Sequence, residues 1–132
     1  MNILVVKPSS LGDIVHAFPA VDLLRREFPD AAITWLVNDG FTGLIDLLPG
    51  VDDVVSFRRA RWGRIRHWGE LVPFVRDLRQ REFDVAIDFQ GLLRSGLLTW
   101  LSGAPVRNGF RTAREGARFF YTEKAMVPAN LT

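Results

Sequence analysis

The loop at residues 7–13 (KPSSLGD) contains the first side chains in this sequence that could do chemistry. It ends at Asp13, whose carboxylate could act as a general base. A carboxyl group of pKa ~4 is a weak base in water, so its partner would be a hydroxyl group, such as that of a sugar, whose acidity rises as a bond forms. A structural alternative stays open, because Ser10-x-x-Asp13 also fits a capping box at the start of a helix.

The residues around this loop disfavour several common sites. A dinucleotide fingerprint needs three spaced glycines and a Walker loop needs Gly-Lys-Ser/Thr, whereas this loop has only Gly12. A serine hydrolase is disfavoured because there is no Gly-x-Ser-x-Gly elbow, and because Ser9, Asp13 and His16 are too close in sequence for a triad. The two histidines, His16 and His67, are isolated and the chain has no cysteine, so we expect no metal site.

The basic segment, residues 58–68, is the most uneven part of the charge distribution. From its first to its last arginine it carries five arginines and no acid: Arg58, Arg59, Arg61, Arg64 and Arg66. Arginine with an interleaved tryptophan, here Trp62, could bind the phosphates and stacked bases of nucleic acid. Arginine also pairs bidentately with the carboxylates and phosphates of other anionic ligands. A solvated charged surface is the third interpretation, and the segment alone leaves all three open.

A second polar loop follows the apolar run at residues 83–89. Gly91 lets the chain turn after Gln90, and Arg94 could contact an anionic ligand. Ser95 could simply form a hydrogen bond back within its own helix.

These loops need a framework of strands and helices, and the apolar pattern predicts one. Strands are predicted at residues 2–7, 32–37, 53–57, 83–89 and 106–110, and helices at residues 11–28, 41–48, 68–81 and 92–101. Pro19 should kink or split the first helix. The alternation is typical of an α/β fold with a doubly wound, mostly parallel sheet of Rossmann-like type. Ligands bind beyond the carboxyl ends of such strands, so the loops at residues 8–13, 38–43 and 89–95 should form the site.

Length and composition fit one cytoplasmic domain over residues 1–132, with no internal repeat or linker. The chain is 48% hydrophobic and 24% charged, which allows a single core, and its net charge is +2. No stretch approaches the ~20 apolar residues of a membrane-spanning helix. The short apolar run at the amino terminus lacks a cleavage site, so it predicts a strand rather than a signal peptide.

Three blocks of the sequence closely resemble glycosyltransferase family nine, in particular the bacterial lipopolysaccharide heptosyltransferases of type I. The blocks are residues 3–20 (ILVVKPSSLGDIVHAFPA), 83–95 (FDVAIDFQGLLRS) and 107–115 (RNGFRTARE). They occur in the order of the family and span nearly the whole chain. The resemblance implies the amino-terminal, acceptor-binding Rossmann-like domain of a two-domain GT-B glycosyltransferase.

The resemblance also implies a chemistry. Such enzymes transfer heptose from ADP-heptose to the Kdo-lipid A inner core with inversion, and they need no obligatory metal or other cofactor. Asp13 falls on the family's catalytic aspartate. The predicted substrate-binding residues are Ser9, Ser10, Gly12, Arg58, Arg59, Arg61, Trp62, Arg64, Gln90, Gly91 and Arg94. The expected partners are Kdo-lipid A, the ADP-sugar through a second domain, and the cytoplasmic face of the inner membrane; nucleic acid is not expected.

Two alternatives accompany this interpretation. The chain could come from another family-nine transferase with a different sugar, because the donor site lies outside it. It could also be a non-catalytic module that binds anionic glycan or nucleic acid through residues 58–67. Residues 1–132 do not include the second α/β domain that the resemblance implies, so we expect that the chain alone lacks transferase activity.

Overall fold

The computed structural model of the protein describes residues 1–9, 11–58, 62, 64–110 and 123–125. Its strands are β1 (Asn2–Val6), β2 (Ala32–Asn38), β3 (Asp53–Phe57), β4 (Val85–Asp88), β5 (Val106–Phe110) and β6 (Glu123–Ala125). Its helices are α1 (Leu11–Glu27), α2 (Thr42–Ile45), α3 (Leu71–Gln80) and α4 (Leu93–Leu101), with 3₁₀ helices at Asp39–Phe41 and Ile65–Glu70. The strands form one sheet in the order β3-β2-β1-β4-β5-β6, and each neighbouring pair is parallel.

Helices cover both faces of this sheet. The odd-numbered residues of β1 and β2, such as Ile3 and Trp35, pack with α1 and α2 in a first core. The even-numbered residues, such as Leu4 and Leu36, pack with α3 and α4 in a second core. A strand that is buried on both faces needs apolar residues at consecutive positions, which is why β1 is a continuous apolar run. The predicted doubly wound Rossmann-like sheet is therefore confirmed.

The strand order creates one crevice at the carboxyl edge of the sheet. The chain passes from β1 to β2 and β3 in one direction, and then returns to place β4 on the other side of β1. Val6 of β1 pairs with Leu36 of β2 and with Asp88 of β4, so these strands end at the same level. Ligands of doubly wound proteins bind at such a reversal of strand order.

Several local features differ from the sequence-based expectation. Helix α1 continues through Pro19 without splitting, because Pro19 is on the exposed side, where water can hydrate the carbonyl group that the proline leaves unbonded. The predicted helix at residues 41–48 is a 3₁₀ turn followed by a single α-helical turn. Strand β6 was not predicted. No helix in the described part of the chain is long and apolar enough to cross a membrane.

Candidate active site

A cavity of about 200 Å³ lies in the crevice, beyond the carboxyl ends of β1, β2 and β4. We call it the switch-point cavity, and the residues that line it are Pro8, Ser9, Asn38, Gln90, Leu92, Arg94 and Ser95. Three of the predicted substrate-binding residues, Ser9, Gln90 and Arg94, are thus brought together. The amino termini of α1 and α4 lie on the loops that form this edge, and both helix dipoles favour negative charge there.

A buried carboxylate shapes the loop between β4 and α4. Asp88 is fully buried; its Oδ1 accepts hydrogen bonds from the backbone N–H groups of Gln90 (2.8 Å) and Gly91 (3.1 Å). Its Oδ2 accepts a hydrogen bond from the hydroxyl group of Ser95 at 3.0 Å. Gly91 has a φ of +74°, a conformation that residues with a side chain rarely adopt. The role of Gly91 at this turn is therefore to permit the backbone path.

Lys7 carries a positive charge into the same region. It follows β1 and is only 9% exposed. Burial lowers the pKa of Lys7 below its usual value, whereas the negative charges of Asp13 and Asp88 act in the opposite direction. Its backbone N–H donates to the carbonyl oxygen of Leu36, and its carbonyl oxygen accepts from the indole N–H of Trp35. The backbone of Lys7 is therefore held by β2, and its side-chain charge interacts with two carboxylates, one buried and one at the surface.

Two amide side chains line the switch-point cavity with buried oxygens. Asn38, at the end of β2, is 7% exposed, and neither its Oδ1 nor the Oε1 of Gln90 has a hydrogen-bond donor among the described residues. A buried carbonyl oxygen without a donor is destabilising, so such atoms are rare unless water or a ligand satisfies them. Asn38 and Gln90 therefore each bring an unsatisfied polar atom to the wall of the switch-point cavity.

Asp13 lies in the first turn of α1 and is exposed. Its carboxylate interacts electrostatically with Lys7, although Asp13 is not among the residues that line the cavity. Gly12 precedes it, and a Cβ added there would meet no atom within 4 Å. Ser10 is outside the described residues, so the capping-box alternative and the predicted binding role of Ser10 both stay predictions. An exposed carboxylate at a helix amino terminus is accessible to a ligand in the crevice and is electrostatically favoured in its ionised form.

The basic segment divides between surface and core. Arg58 and Arg64 are exposed, while Arg59 and Arg61 lie outside the described residues. Trp62 is half-buried: its ring packs on Phe57 with centroids 5.0 Å apart and on Phe74 at 4.9 Å. A contact of Trp62 with a sugar or a membrane stays a prediction, but these core contacts already account for much of its surface.

Three polar residues of the site were not among the predicted site residues: Lys7, Asn38 and Asp88. Lys7 and Asn38 nevertheless lie in loops that the sequence analysis expected at the site, whereas Asp88 was not considered. Each stands at or just after the end of a buried strand, where an apolar residue would otherwise continue the pattern. That position was the available signal, since a charged or amide side chain there is buried at the ligand edge of a parallel sheet. No group of three or more potential metal-binding side chains occurs in the part of the chain that the structure describes.

Comparison with known proteins agrees with this geometry. The family described as glycosyltransferase family 9 (heptosyltransferase) matches residues 72–132. Lipopolysaccharide heptosyltransferase 1 of Pseudomonas aeruginosa is 38% identical over 129 residues, which cover 91% of this chain and 36% of that protein. Lipopolysaccharide heptosyltransferase 1 of Escherichia coli K12 is 32% identical over 133 residues, covering 94% of this chain and 41% of the relative. Residues 72–132 thus match glycosyltransferase family 9, and the relatives extend the similarity over nine tenths or more of the chain.

Solved structures place the family 9 fold on nearly all of this chain. The structure of E. coli heptosyltransferase WaaC with ADP-2-deoxy-2-fluoro heptose superposes with a TM-score of 0.86 at 32% identity, and covers 97% of this chain and 43% of its own. E. coli ADP-heptose lps heptosyltransferase II has the same fold, with a TM-score of 0.77 at 22% identity. The chain spans about two fifths of the length of the curated relatives it matches.

Proposed function

We propose that this chain is the amino-terminal, acceptor-binding domain of a lipopolysaccharide heptosyltransferase of type 1. In this proposal the complete enzyme transfers heptose from ADP-heptose to Kdo-lipid A at the cytoplasmic face of the inner membrane. The observation that carries the proposal is the exposed carboxylate of Asp13, which interacts with Lys7 at the edge of the switch-point crevice. The chain is 32% identical to lipopolysaccharide heptosyltransferase 1 of E. coli K12 and 26% identical to lipopolysaccharide heptosyltransferase 2 of the same strain, and this favours type 1 within the family.

Asp13 acts as the general base in this mechanism. The acceptor hydroxyl oxygen attacks the anomeric carbon of the heptose from the side opposite the nucleotide, while the bond from that carbon to the phosphate oxygen of ADP breaks. The hydroxyl proton becomes acidic only as the new C–O bond forms, and the carboxylate of Asp13 accepts it at that stage. Until then, the charge of Lys7 and the amino terminus of α1 stabilise the negative charge of the carboxylate. Attack from the opposite side inverts the anomeric centre.

The acceptor binds through charge at the rim and through hydroxyl contacts in the cavity. The carboxylates and phosphates of Kdo-lipid A pair with Arg58, Arg59, Arg61 and Arg64, because the guanidinium group matches both anions bidentately. Within the cavity, Arg94 and the amino terminus of α4 favour an anionic group. The remaining length of the relatives would supply the site for ADP-heptose.

Calorimetric titration of the isolated chain with deacylated Kdo-lipid A tests this proposal. We expect the Arg58→Ala/Arg64→Ala variant to bind about tenfold or more weakly, because hydrogen bonds to charged groups contribute roughly 1.5–3 kcal/mol each. Asp13→Asn should bind within about threefold of the parent, because a general base acts in the transition state and not on the bound ground state. Arg26→Ala is the matched control, since Arg26 is exposed and paired with Asp22 on α1.

Two results would contradict the proposal. One is equally tight and equally salt-dependent binding of single-stranded DNA, which would favour a nucleic-acid-binding module. The other is an equal loss of affinity in the Arg26→Ala control, which would reduce the role of the basic segment to net charge. Turnover of ADP-heptose by residues 1–132 alone would separately overturn the assignment of the donor site to another domain.

A further inference from the structure

Three large apolar side chains face solvent on one stretch of the surface. Ile65 is 75% exposed, Trp68 52% and Val72 61%. Ile65 and Trp68 lie in the 3₁₀ helix Ile65–Glu70, where residues three apart are aligned. Val72 follows four residues later in α3, at the spacing that places residues on one helical face. We call these three residues the outer apolar face, because their spacing places them on one side of this stretch. Clustered large apolar side chains that face solvent are typical of interaction sites.

The outer apolar face is not needed to build the core. The same stretch already has an inward apolar side, on which Trp62, Leu71 and Phe74 pack against the second core. A surface helix normally carries polar residues opposite its buried side, and this stretch departs from that pattern. The indole N–H of Trp68 donates to the backbone carbonyl oxygen of Trp62 at 3.0 Å. This hydrogen bond fixes the orientation of the indole while half of its surface stays exposed.

Positive charge surrounds this face. Arg58, Arg64 and Arg66 are exposed, and neither Arg58 nor Arg64 has an ion-pair partner among the described residues. Arg76 lies one turn beyond Val72 and shares with it a shallow groove along α3. Glu70, the acid within the 3₁₀ helix, already accepts a hydrogen bond from the indole N–H of Trp62 at 2.9 Å.

The combination of aliphatic, indole and guanidinium groups identifies the occupant by its chemistry. An anionic bilayer offers a headgroup region in which apolar side chains lie at the boundary with the acyl chains, and phosphates that attract arginine. The phosphates of nucleic acid could pair with the arginines, but nucleic acid offers no apolar environment in which Ile65 and Val72 would be buried. A second copy of this chain would bring the same positive charge to the contact and repel it.

We propose that the outer apolar face inserts into the headgroup region of an anionic phospholipid bilayer, with the surrounding arginines bound to lipid phosphates. This inference rests on the proposed function in so far as that function places the acceptor in a membrane. Beyond that function, the inference specifies which residues dock on the membrane and that the lipid must be anionic. It also orients the domain, because the arginines that are proposed to bind the acceptor belong to the same segment as Ile65 and Trp68.

Vesicle sedimentation with the isolated chain tests the inference. The probes are vesicles of phosphatidylethanolamine and phosphatidylglycerol, vesicles of phosphatidylcholine alone, and the first mixture with Kdo-lipid A added. We expect binding to the phosphatidylglycerol vesicles without Kdo-lipid A, and little binding to phosphatidylcholine. The Ile65→Ser/Trp68→Ser variant should bind about tenfold or more weakly, because two buried apolar side chains are lost.

Leu47→Ser is the matched control, because Leu47 is 79% exposed and follows α2, which packs on the opposite face of the sheet. Its vesicle binding should equal that of the parent. Brominated phospholipids should quench part of the tryptophan emission, and Trp68→Phe should lose that part. The substituted positions are exposed, and the Trp68 variants lose one hydrogen bond, so the free energy of unfolding in urea should fall by no more than about 1.5 kcal/mol. A shift within this limit excludes misfolding as the cause of weaker vesicle binding.

Four results would overturn the inference. The first is an equal loss of binding in Leu47→Ser, which would indicate non-specific adhesion. The second is vesicle binding that does not depend on Trp68. The third is binding only when Kdo-lipid A is present, which supports the proposed function but not a docking face. The fourth is a dimer in sedimentation velocity that Trp68→Ser dissociates, which makes a second copy the occupant. Binding to phosphatidylglycerol vesicles without affinity for deacylated Kdo-lipid A would uphold the docking face and contradict the proposed function.

Discussion

A buried carboxylate destabilises the folded state unless hydrogen bonds and a positive charge compensate its lost hydration. Asp88 is compensated by two backbone N–H groups, the hydroxyl group of Ser95 and the charge of Lys7. The Ser95 oxygen also accepts from the backbone N–H of Leu92 at 3.0 Å. One hydroxyl group therefore links the end of β4 to the first turn of α4. The residues that line the switch-point cavity depend on this small network for their positions.

Removal of that hydroxyl group is the first prediction. We expect Ser95→Ala to lower the free energy of unfolding by about 2 kcal/mol, because a hydrogen bond to a buried charged group is lost and the N–H of Leu92 loses its acceptor. Urea unfolding followed by circular dichroism measures this change. Ser56→Ala is the control: Ser56 is exposed in β3, and its loss should stay within about 0.5 kcal/mol. Equal effects at the two serines would show that the Asp88 network contributes little.

At the scale of elements, the turn that leads from β4 into α4 depends on one backbone conformation. Gly91 adopts a positive φ there and donates its N–H to Asp88. We predict that Gly91→Ala destabilises the fold by about 1–2 kcal/mol, because a Cβ disfavours the left-handed region. Gly40→Ala, in the 3₁₀ turn Asp39–Phe41, has open space around the added Cβ and should change the urea midpoint little. A neutral Gly91→Ala would mean that the turn readily adopts another path.

The strands were largely predictable from the sequence, because a strand that is buried on both faces appears there as a continuous apolar run. The apolar runs at residues 2–7 and 32–37 correspond to β1 and β2 almost residue for residue. Strand β6 has no such apolar run. Glu123–Ala125 is three residues long and mostly polar, and its placement follows from pairing with β5. The 3₁₀ helix before α3 was also missed, because its apolar residues continue the periodicity of the helix that follows.

The candidate site was predictable only in part, because its loops follow from the order of elements but its side-chain contacts do not. The loops that line the switch-point cavity were predicted from the order of elements, since parallel strands end at one edge. The burial and hydrogen bonding of the site side chains could not be predicted from the order of elements. That Asn38 has a buried oxygen without a donor, and that Asp88 binds two N–H groups, depends on distances between segments far apart in sequence.

For the whole molecule, two exposed carboxylates connect the edge strand β3 to both helical layers. Asp52, just before β3, accepts from the backbone N–H of Ile33 and pairs with Arg25 of α1. Asp53 pairs with Arg81, which follows α3. The N–H of Ile33 and then Arg25 hold the pKa of Asp52 below its usual value, and Arg81 does the same for Asp53.

These carboxylates should set part of the acid limit of stability. A pKa that is lower in the folded state contributes stability that is fully present above the unfolded value of about 3.9 and is lost as pH falls through the folded value. Both side chains are half exposed, so solvent screening limits the sum to about 1 kcal/mol. We predict that Asp52→Asn/Asp53→Asn is less stable than the parent at pH 7, and that urea midpoints converge between about pH 4 and pH 2.

The double variant Asp30→Asn/Asp46→Asn separates this pairing from a general effect of charge. Both of its aspartates are exposed, and neither has an ion-pair partner within the described part of the chain. Its urea midpoint should therefore follow that of the parent from pH 7 to about pH 2. If Asp52→Asn/Asp53→Asn stayed equally destabilised at low pH, the lost stability would come from altered packing at β3. The ion pairs would then not be what holds the edge strand between α1 and α3.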